Sequence, residues 1–341
     1  MDKSKKAEVA RDIRRLMNKS ASETKQCYFI GCEERTIHAH SISNKRLLLK
    51  LSIDGKVAFM KKTESLEYVE LDETGRGQAT TFSGFCEEHD KIFHPIDNAD
   101  YRVGNAEQDF LFAMRASAKE FNVRQSVGAM ADKLTELQEI AGISLSEENL
   151  TELEIYKLGF HQGDSDLKEN RGIFVDCFKN TKYNVIETKV IVVDKELPIA
   201  VSSSFHPELA PDGTLLNDVS PTGWDAKMKT WFLTVFPQNG KTYCIISYFR
   251  KYRRGFIFLD DIINANEAYK EIVISNLITS YVENFVANIE YWKGLSADTK
   301  ERYNAVFANS FKAEHAPFIA DEELNLFPTQ KVLRQQLTLK V

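Results

Sequence analysis

The chain has 341 residues, 43% apolar and 28% charged, with a net charge of −6. That is a globular composition long enough for two or three units, and it excludes a disordered protein. No apolar run approaches the roughly 20 residues that span a bilayer, and the opening Met1-Asp2-Lys3-Ser4-Lys5-Lys6 lacks the apolar core of a secretory signal. Five cysteines, an odd number, argue against a disulfide framework and for a reducing compartment, so the expectation is a cytoplasmic protein with no membrane partner.

Residues 1–50 hold 12 Lys/Arg against 6 Asp/Glu, which leaves the remainder at −12. A basic end on an acidic body predicts either contact with polyanions or a solvated amphipathic helix rich in lysine. From Lys5 to Lys19 the apolar residues Ala7, Val9, Ile13, Leu16 and Met17 recur at roughly helical spacing. Leu47–Ile53 and Lys56–Met60 read as strands joined by an Asp54-Gly55 hairpin turn. Glu67–Leu71 is expected to pair with Thr80–Phe85 around Gly75-Arg76-Gly77, which reads as a turn and not a phosphate loop. Lys91 onward reads as a short helix stopped before Pro95.

Phe110, Leu111, Met114, Ala118 and Phe121 predict a helix, followed by one from Ser126 to Ile140 and one from Ser144 through Leu158. Gln162-Gly163-Asp164-Ser165-Asp166 reads as a loop and a candidate boundary. Ile173–Phe178, Asn184–Val193, Pro198–Phe205, Thr230–Phe236 and Thr242–Phe249 are rich in β-branched and aromatic residues and read as strands, with Asn239-Gly240 as a hairpin turn. A long helical pattern runs from Asp260 to Trp292 and another from Asp298 to Phe311. The stretch around Ile272, Val273, Leu277, Ile278, Tyr281, Val282 and Phe285 is apolar enough to pair two copies in a homo-oligomer, or to serve as core. The expected organisation is α+β. A basic helix and a zinc-binding module occupy residues 1–106, a helical connector 107–168, and an α+β domain of unassigned role 169–341, its antiparallel sheet covered on one face by long helices.

Chemistry concentrates between residues 27 and 97. Cys27-x4-Cys32 and Cys86-Glu87-Glu88-His89-Asp90 supply three thiols and an imidazole, a donor set for a closed tetrahedral zinc site on Cys27, Cys32, Cys86 and His89. Each pair lies on a tight turn, and hairpins between them return the chain to its start. Cys177 and Cys244 fall within predicted strands and read as core.

Cys27-x4-Cys32, the histidine-bearing strand His38-Ala39-His40-Ser41-Ile42, and Phe85-Cys86-x2-His89-Asp90 opening a helix together resemble the zinc-stabilised HNH endonucleases. The resemblance covers roughly residues 24–98. It implies a treble-clef, ββα-metal fold, with His40 as the base that activates water and Asp90 as the helix ligand of a catalytic Mg²⁺ or Mn²⁺. The residue before His40 is Ala39, which cannot bind metal; His38, two positions away, could substitute. Asn44 and Asn98 are both candidates for the family's middle asparagine. His94 follows Asp90 by one helical turn and could approach the same site, or could face a helix C-terminus.

Downstream, Tyr248-Phe249-Arg250-Lys251-Tyr252-Arg253-Arg254-Gly255-Phe256 interleaves aromatics with four cations. Arg250, Lys251, Arg253 and Arg254 suit nucleic-acid contact, and equally a charged turn after a strand. Ser202-Ser203-Ser204-Phe205-His206 lacks a nucleophile elbow and reads as a polar strand end. The functional expectation is a metal-dependent nuclease acting on DNA or RNA; by analogy such a module fused to a partner domain suits prokaryotic anti-phage or mobile-element defence. The alternative is a non-catalytic, zinc-structured protein that binds nucleic acid or protein.

Overall fold

The structure, a computed structural model, describes residue 15 and residues 26–60, 71–131, 147–220, 226–310 and 316–328, with backbone only over 127–131 and 147–162. The basic helix expected from Lys5 to Lys19 falls outside these residues, Arg15 apart, as do 67–70 and 132–140. The architecture is α+β, as the sequence patterns predict. It contains β1 (Ala39–His40), a π-helical segment (Asn44–Leu48) running into α1 (Leu49–Leu51), β2 (Lys56–Met60), β3 (Leu71–Gly75) and β4 (Thr81–Phe82). A continuous helical run follows as α2 (Glu87–Asp90), a 3-10 turn (Lys91–Phe93) and α3 (His94–Asp97). Two long helices come next, α4 (Ala106–Ala131) and α5 (Glu147–Lys179). The remainder is β5 (Ile186–Val193), β6 (Ile199–Phe205), β7 (Trp231–Gln238), β8 (Lys241–Phe249), α6 (Phe258–Asn264), α7 (Glu267–Tyr281), β9 (Phe285–Ala287), α8 (Ile289–Gly294) and α9 (Ala297–Asn309).

Seven strands form one sheet in the order β3-β2-β9-β6-β7-β8-β5, with antiparallel neighbours throughout. Every residue of β7 is buried, because apolar side chains leave both faces of the sheet. Phe232, Phe236, Ile245 and Phe249 pack with Phe110 and Phe174 of α4 and α5. Leu233, Val235, Cys244 and Ile246 pack with Val273, Leu277 and Ile278 of α7. Helices therefore cover both faces, not one as expected, and a strand buried on both sides reads as an unbroken apolar run. The apolar stretch of α7 is used as core within the chain. Cys177 and Cys244 are buried core residues as expected. Among the described residues no helix is long and apolar enough to cross a membrane.

Several expected elements differ. The Asp54-Gly55 turn forms, with φ +50° and +74°, as does Asn239-Gly240, with φ +52° and +80°. Yet Leu47–Leu51 is helical, with Leu47, Leu48 and Leu51 buried. β2 pairs with β3, whereas Thr81–Phe82 pairs with Ala39–His40. The helix after Lys91 continues through Pro95, which sits in the first turn of α3 where its missing N–H costs nothing.

α5 runs without a break through the expected loop Gln162–Asp166 and the expected strand Ile173–Phe178. Gly163 is no loop breaker: a side chain there would meet the Arg124 guanidinium of α4. The buried positions Asp166, Leu167, Asn170, Arg171, Phe174 and Cys177 recur at helical spacing, and that period overrides the β preference of Ile173 and Val175. The long pattern from Asp260 to Trp292 breaks into three helices around the short strand β9.

Candidate metal centre and active site

Cys27 and Cys32 lie on the loop before β1, where Gly31 adopts φ +82° to turn the chain. Cys86 is the residue preceding α2, and His89 follows one turn later. The two pairs meet because Tyr28 N–H donates to Gly84 O at 2.7 Å and Thr36 bridges Cys86. The four ligand atoms all lie within 4.8 Å of one another. Cys32 Sγ is 3.8 Å from Cys86 Sγ, while His89 Nδ1 is 3.4 Å from Cys27 Sγ and 3.2 Å from Cys86 Sγ. A tetrahedral zinc with bonds of about 2.3 Å to sulfur and 2.0 Å to nitrogen has edges of about 3.8 Å (S–S) and 3.5 Å (S–N). The cysteines are free, and the 3.8 Å separation is far from a disulfide. The cluster can therefore hold a metal ion such as zinc. Burial pushes the Cys27 thiol up to about 11 and holds the His89 imidazole below its ordinary value, so thiolate here needs a cation beside it.

The centre is braced from outside. Phe29 stacks flat on the His89 ring, centroids 3.9 Å apart. Arg171 of α5, buried, donates Nε to Tyr28 O at 2.6 Å and Nη2 to Cys27 O at 2.9 Å, with its guanidinium 4.8 Å from the Phe121 ring of α4. Tyr28 Oη bonds Ser117 Oγ at 2.9 Å.

His40 stands on β1 opposite Thr81 of β4. Its Nδ1 is 3.1 Å from Ala79 O, a carbonyl that can only accept, so Nδ1 carries the hydrogen and Nε2 the lone pair in the neutral ring. Asn44 Nδ2 donates to Nε2 at 3.2 Å. Arg76 Nη1 in turn donates to Asn44 Oδ1 at 2.8 Å and Asn44 O at 3.1 Å. Burial lowers the His40 pKa, against the Ala79 bond, with Arg115 lowering it further.

Asp90 lies on α2 next to His89, and burial raises its carboxyl above the ordinary range, opposed by Arg115 and reinforced by Asp97. Arg115 of α4, buried, grips Asp97 with two bonds of 2.9 and 2.7 Å. His40 and Asp90 thus sit in the field of one Arg115–Asp97 pair. His38 is exposed and lies before the strand, and His94 is exposed within the helical run and not at its C-terminus. Asn98 caps α3, so Asn44 is the asparagine that meets His40. Among the described residues, Cys27, Cys32, Cys86 and His89 are the only group of three or more such donors close enough to share an ion; His38, His40 and Asp90 form no second group.

The basic segment after β8 is a 3-10 helix, Arg250–Phe256. Tyr248, Phe249 and Phe256 are buried in the core and offer no stacking face. Lys251 Nζ lies 3.4 Å from Glu169, Arg253 Nε 3.9 Å from Glu187, and Arg250 Nη2 donates to Ile186 O at 3.4 Å. Arg254 is exposed. In the serine run, Ser202 and Ser203 are buried, and Ser203 Oγ donates to Glu120 at 3.3 Å. Sequence reading missed Arg76, Arg115 and Arg171, since each acts across a long sequence separation that no local motif marks.

No family model matches the chain, and neither a curated protein nor a solved structure matches it.

Proposed function

We propose that the chain is a metal-dependent endonuclease of the HNH kind, hydrolysing phosphodiester bonds in DNA or RNA. In this reading a structural zinc on Cys27, Cys32, Cys86 and His89 fixes a treble-clef, ββα-metal module. One observation carries it: His40 on a two-stranded antiparallel ladder has Nδ1 committed to Ala79 O, and the helix that follows brings Asp90 into the same Arg115–Asp97 field. A Mg²⁺ or Mn²⁺ held by Asp90, an oxygen donor suited to either, would stabilise the charge developing on the phosphate. His40 Nε2 takes a proton from water as the water oxygen bonds to phosphorus, and the departing oxygen leaves with its electron pair to be protonated from solvent.

The alternative is a non-catalytic module that binds nucleic acid or protein around the same zinc. Two observations favour it: the Asn44 amide on the base nitrogen, and the single donor group among the described residues. A plasmid-nicking assay in Mg²⁺ or Mn²⁺, run beside His40→Ala, separates the two. The expected result is cleavage that falls by about 10²- to 10⁴-fold in the variant. Equal cleavage by both removes His40 from the reaction. No cleavage in either metal, with salt-sensitive DNA binding, selects the binding module.

A further inference from the structure

The hydrogen-bond chain Arg76–Asn44–His40–Ala79 goes beyond what a simple base requires. Arginine has only donors, so the Asn44 atom facing Arg76 is Oδ1, and the amide NH₂ must face His40. Arg76 therefore fixes the orientation of the amide, and the amide in turn closes the one lone pair through which His40 could accept a proton. An amide turned the other way would suit a ring with hydrogen on both nitrogens; the observed one suits only the neutral ring.

Arg76 is half-buried, and among the described residues both bonds of its guanidinium run to neutral oxygens of one asparagine. A phosphate offers a charged, two-oxygen partner that a guanidinium matches with two parallel bonds, an ionic and geometric gain over the neutral oxygens of Asn44. The Arg76 backbone is tied, its N–H donating to Gly55 O at 2.9 Å, so the response belongs to its long side chain, which Gly75 and Gly77 leave unobstructed on either side.

We propose that Asn44 is a removable cap on the base nitrogen of His40, and that Arg76 is the phosphate contact that releases it. A substrate phosphate that draws Arg76 away unlocks the Asn44 amide and opens Nε2 to water, so the base becomes available only where a phosphodiester is bound. This rests on the reading of His40 as the base of a nuclease; Asn44 acts by positioning and Arg76 by touching the phosphate.

The test is ring ¹⁵N–¹H correlation spectroscopy of the histidines in zinc-loaded full chain at one fixed pH, with inorganic phosphate as probe and chloride of matched ionic strength as control. Wild type is expected to show the Nδ1–H tautomer of His40, with Nε2 displaced by the Asn44 bond. Phosphate is expected to move Nε2 toward its position in Asn44→Ala. Arg76→Gln keeps a donor for Asn44 but no charge, so it is expected to keep the cap and lose the phosphate response. Unchanged zinc content and His206 signals verify folding. Identical Nε2 positions in wild type and Asn44→Ala overturn the cap, and an undiminished phosphate response in Arg76→Gln overturns the role of Arg76.

In the nicking assay Asn44→Ala is expected to lower KM by roughly 2- to 12-fold, because the substrate no longer has to break a neutral hydrogen bond to reach an open base. The two readings fail separately. If the ring signals behave as expected and no metal supports nicking, the cap stands and the nuclease reading falls. If nicking proceeds and the signals ignore both Asn44 and phosphate, the cap falls alone.

Discussion

Two regions of the molecule share one core yet set their side chains by different means. In the large sheet, β5 to β8 are seven to nine residues long and bury apolar side chains against helices on both faces. Stability there is shared among many contacts. Between Cys27 and Asp97, by contrast, β1 and β4 have two residues each and α2 and α3 four. Elements that short cannot position a side chain by packing alone. Tyr28, Phe85 and Phe93 are buried in the core that covers one face of the sheet, and point contacts add the aim: the Cys₃His donor set, Arg171 on the Cys27 and Tyr28 carbonyls, Arg115 on Asp97, and Asn284 between Ser41 Oγ and Ser202 O. The candidate site therefore depends on a few residues, each of which matters steeply, while the sheet depends on many that matter moderately.

The strongest attempt to break this contrast is Cys86→Ser. Structural zinc contributes about 10–16 kcal/mol to small zinc modules, against a total stability of about 5–15 kcal/mol for a typical domain. The expected outcome is one zinc per chain in wild type, none in the variant, and loss of ordered structure around Cys27–Asp97. Elemental analysis and proteolysis check it, and a variant that folds normally without metal would show that packing suffices there. Arg171→Met is next. It strands two buried carbonyls at about 1–3 kcal/mol each, so roughly 2–6 kcal/mol of stability is lost with the chain's apolar volume kept. Zinc held against a chelator should weaken by about 10-fold or more, as happens when the partners that orient a ligand are removed. Denaturant unfolding unchanged beside weaker zinc would make Arg171 a local tether only.

What could be read from sequence follows the same division. The donor set was legible because ligand types and short spacing within each pair survive in the sequence, and because a helix start at Cys86 places His89 one turn on. β5 to β8 were legible through β-branched and aromatic runs bounded by Asn239-Gly240. The tethers were not: Arg171 lies 144 residues from Cys27, and Arg76 sits in a turn whose glycines hid its role. Helix α5 was misread at Gly163 because glycine signals a loop unless a neighbouring helix needs the space. β9 was missed because three residues inside an apolar run carry no period of their own.

The sheet side has a titratable point contact, and pH tests it. Burial holds the His206 imidazole down at about 4 from an ordinary 6.5, opposed by Asp166 and helped by Arg124. The unfolded ring takes its proton first, so stability is whole above pH 6.5 and falls as pH drops toward 4, by about 2–3 kcal/mol. Asp109, raised to about 6 by burial, works in the opposite sense over much of that range, so the difference between wild type and His206→Gln is the quantity to measure. Denaturant midpoints across the range should fall less steeply in the variant, and parallel curves would remove His206 from the account.

The smallest effect sharpens the comparison most. Ile246 of β8 is fully buried among the side chains of the α7 face. Ile246→Val removes one methylene, which costs about 0.5–1.5 kcal/mol in a packed core. The contrast with Arg171→Met lies less in size than in what travels with it. In the sheet, the lost contact is spread over many neighbours, so stability declines while chelator-resistant zinc and the His40 ring signals stay as in wild type. At Arg171, stability and zinc retention fall together because one guanidinium holds both the loop and the ligand. If Ile246→Val also loosens zinc, the sheet and the metal module form a single cooperative unit, and the division between shared packing and point tethers does not hold.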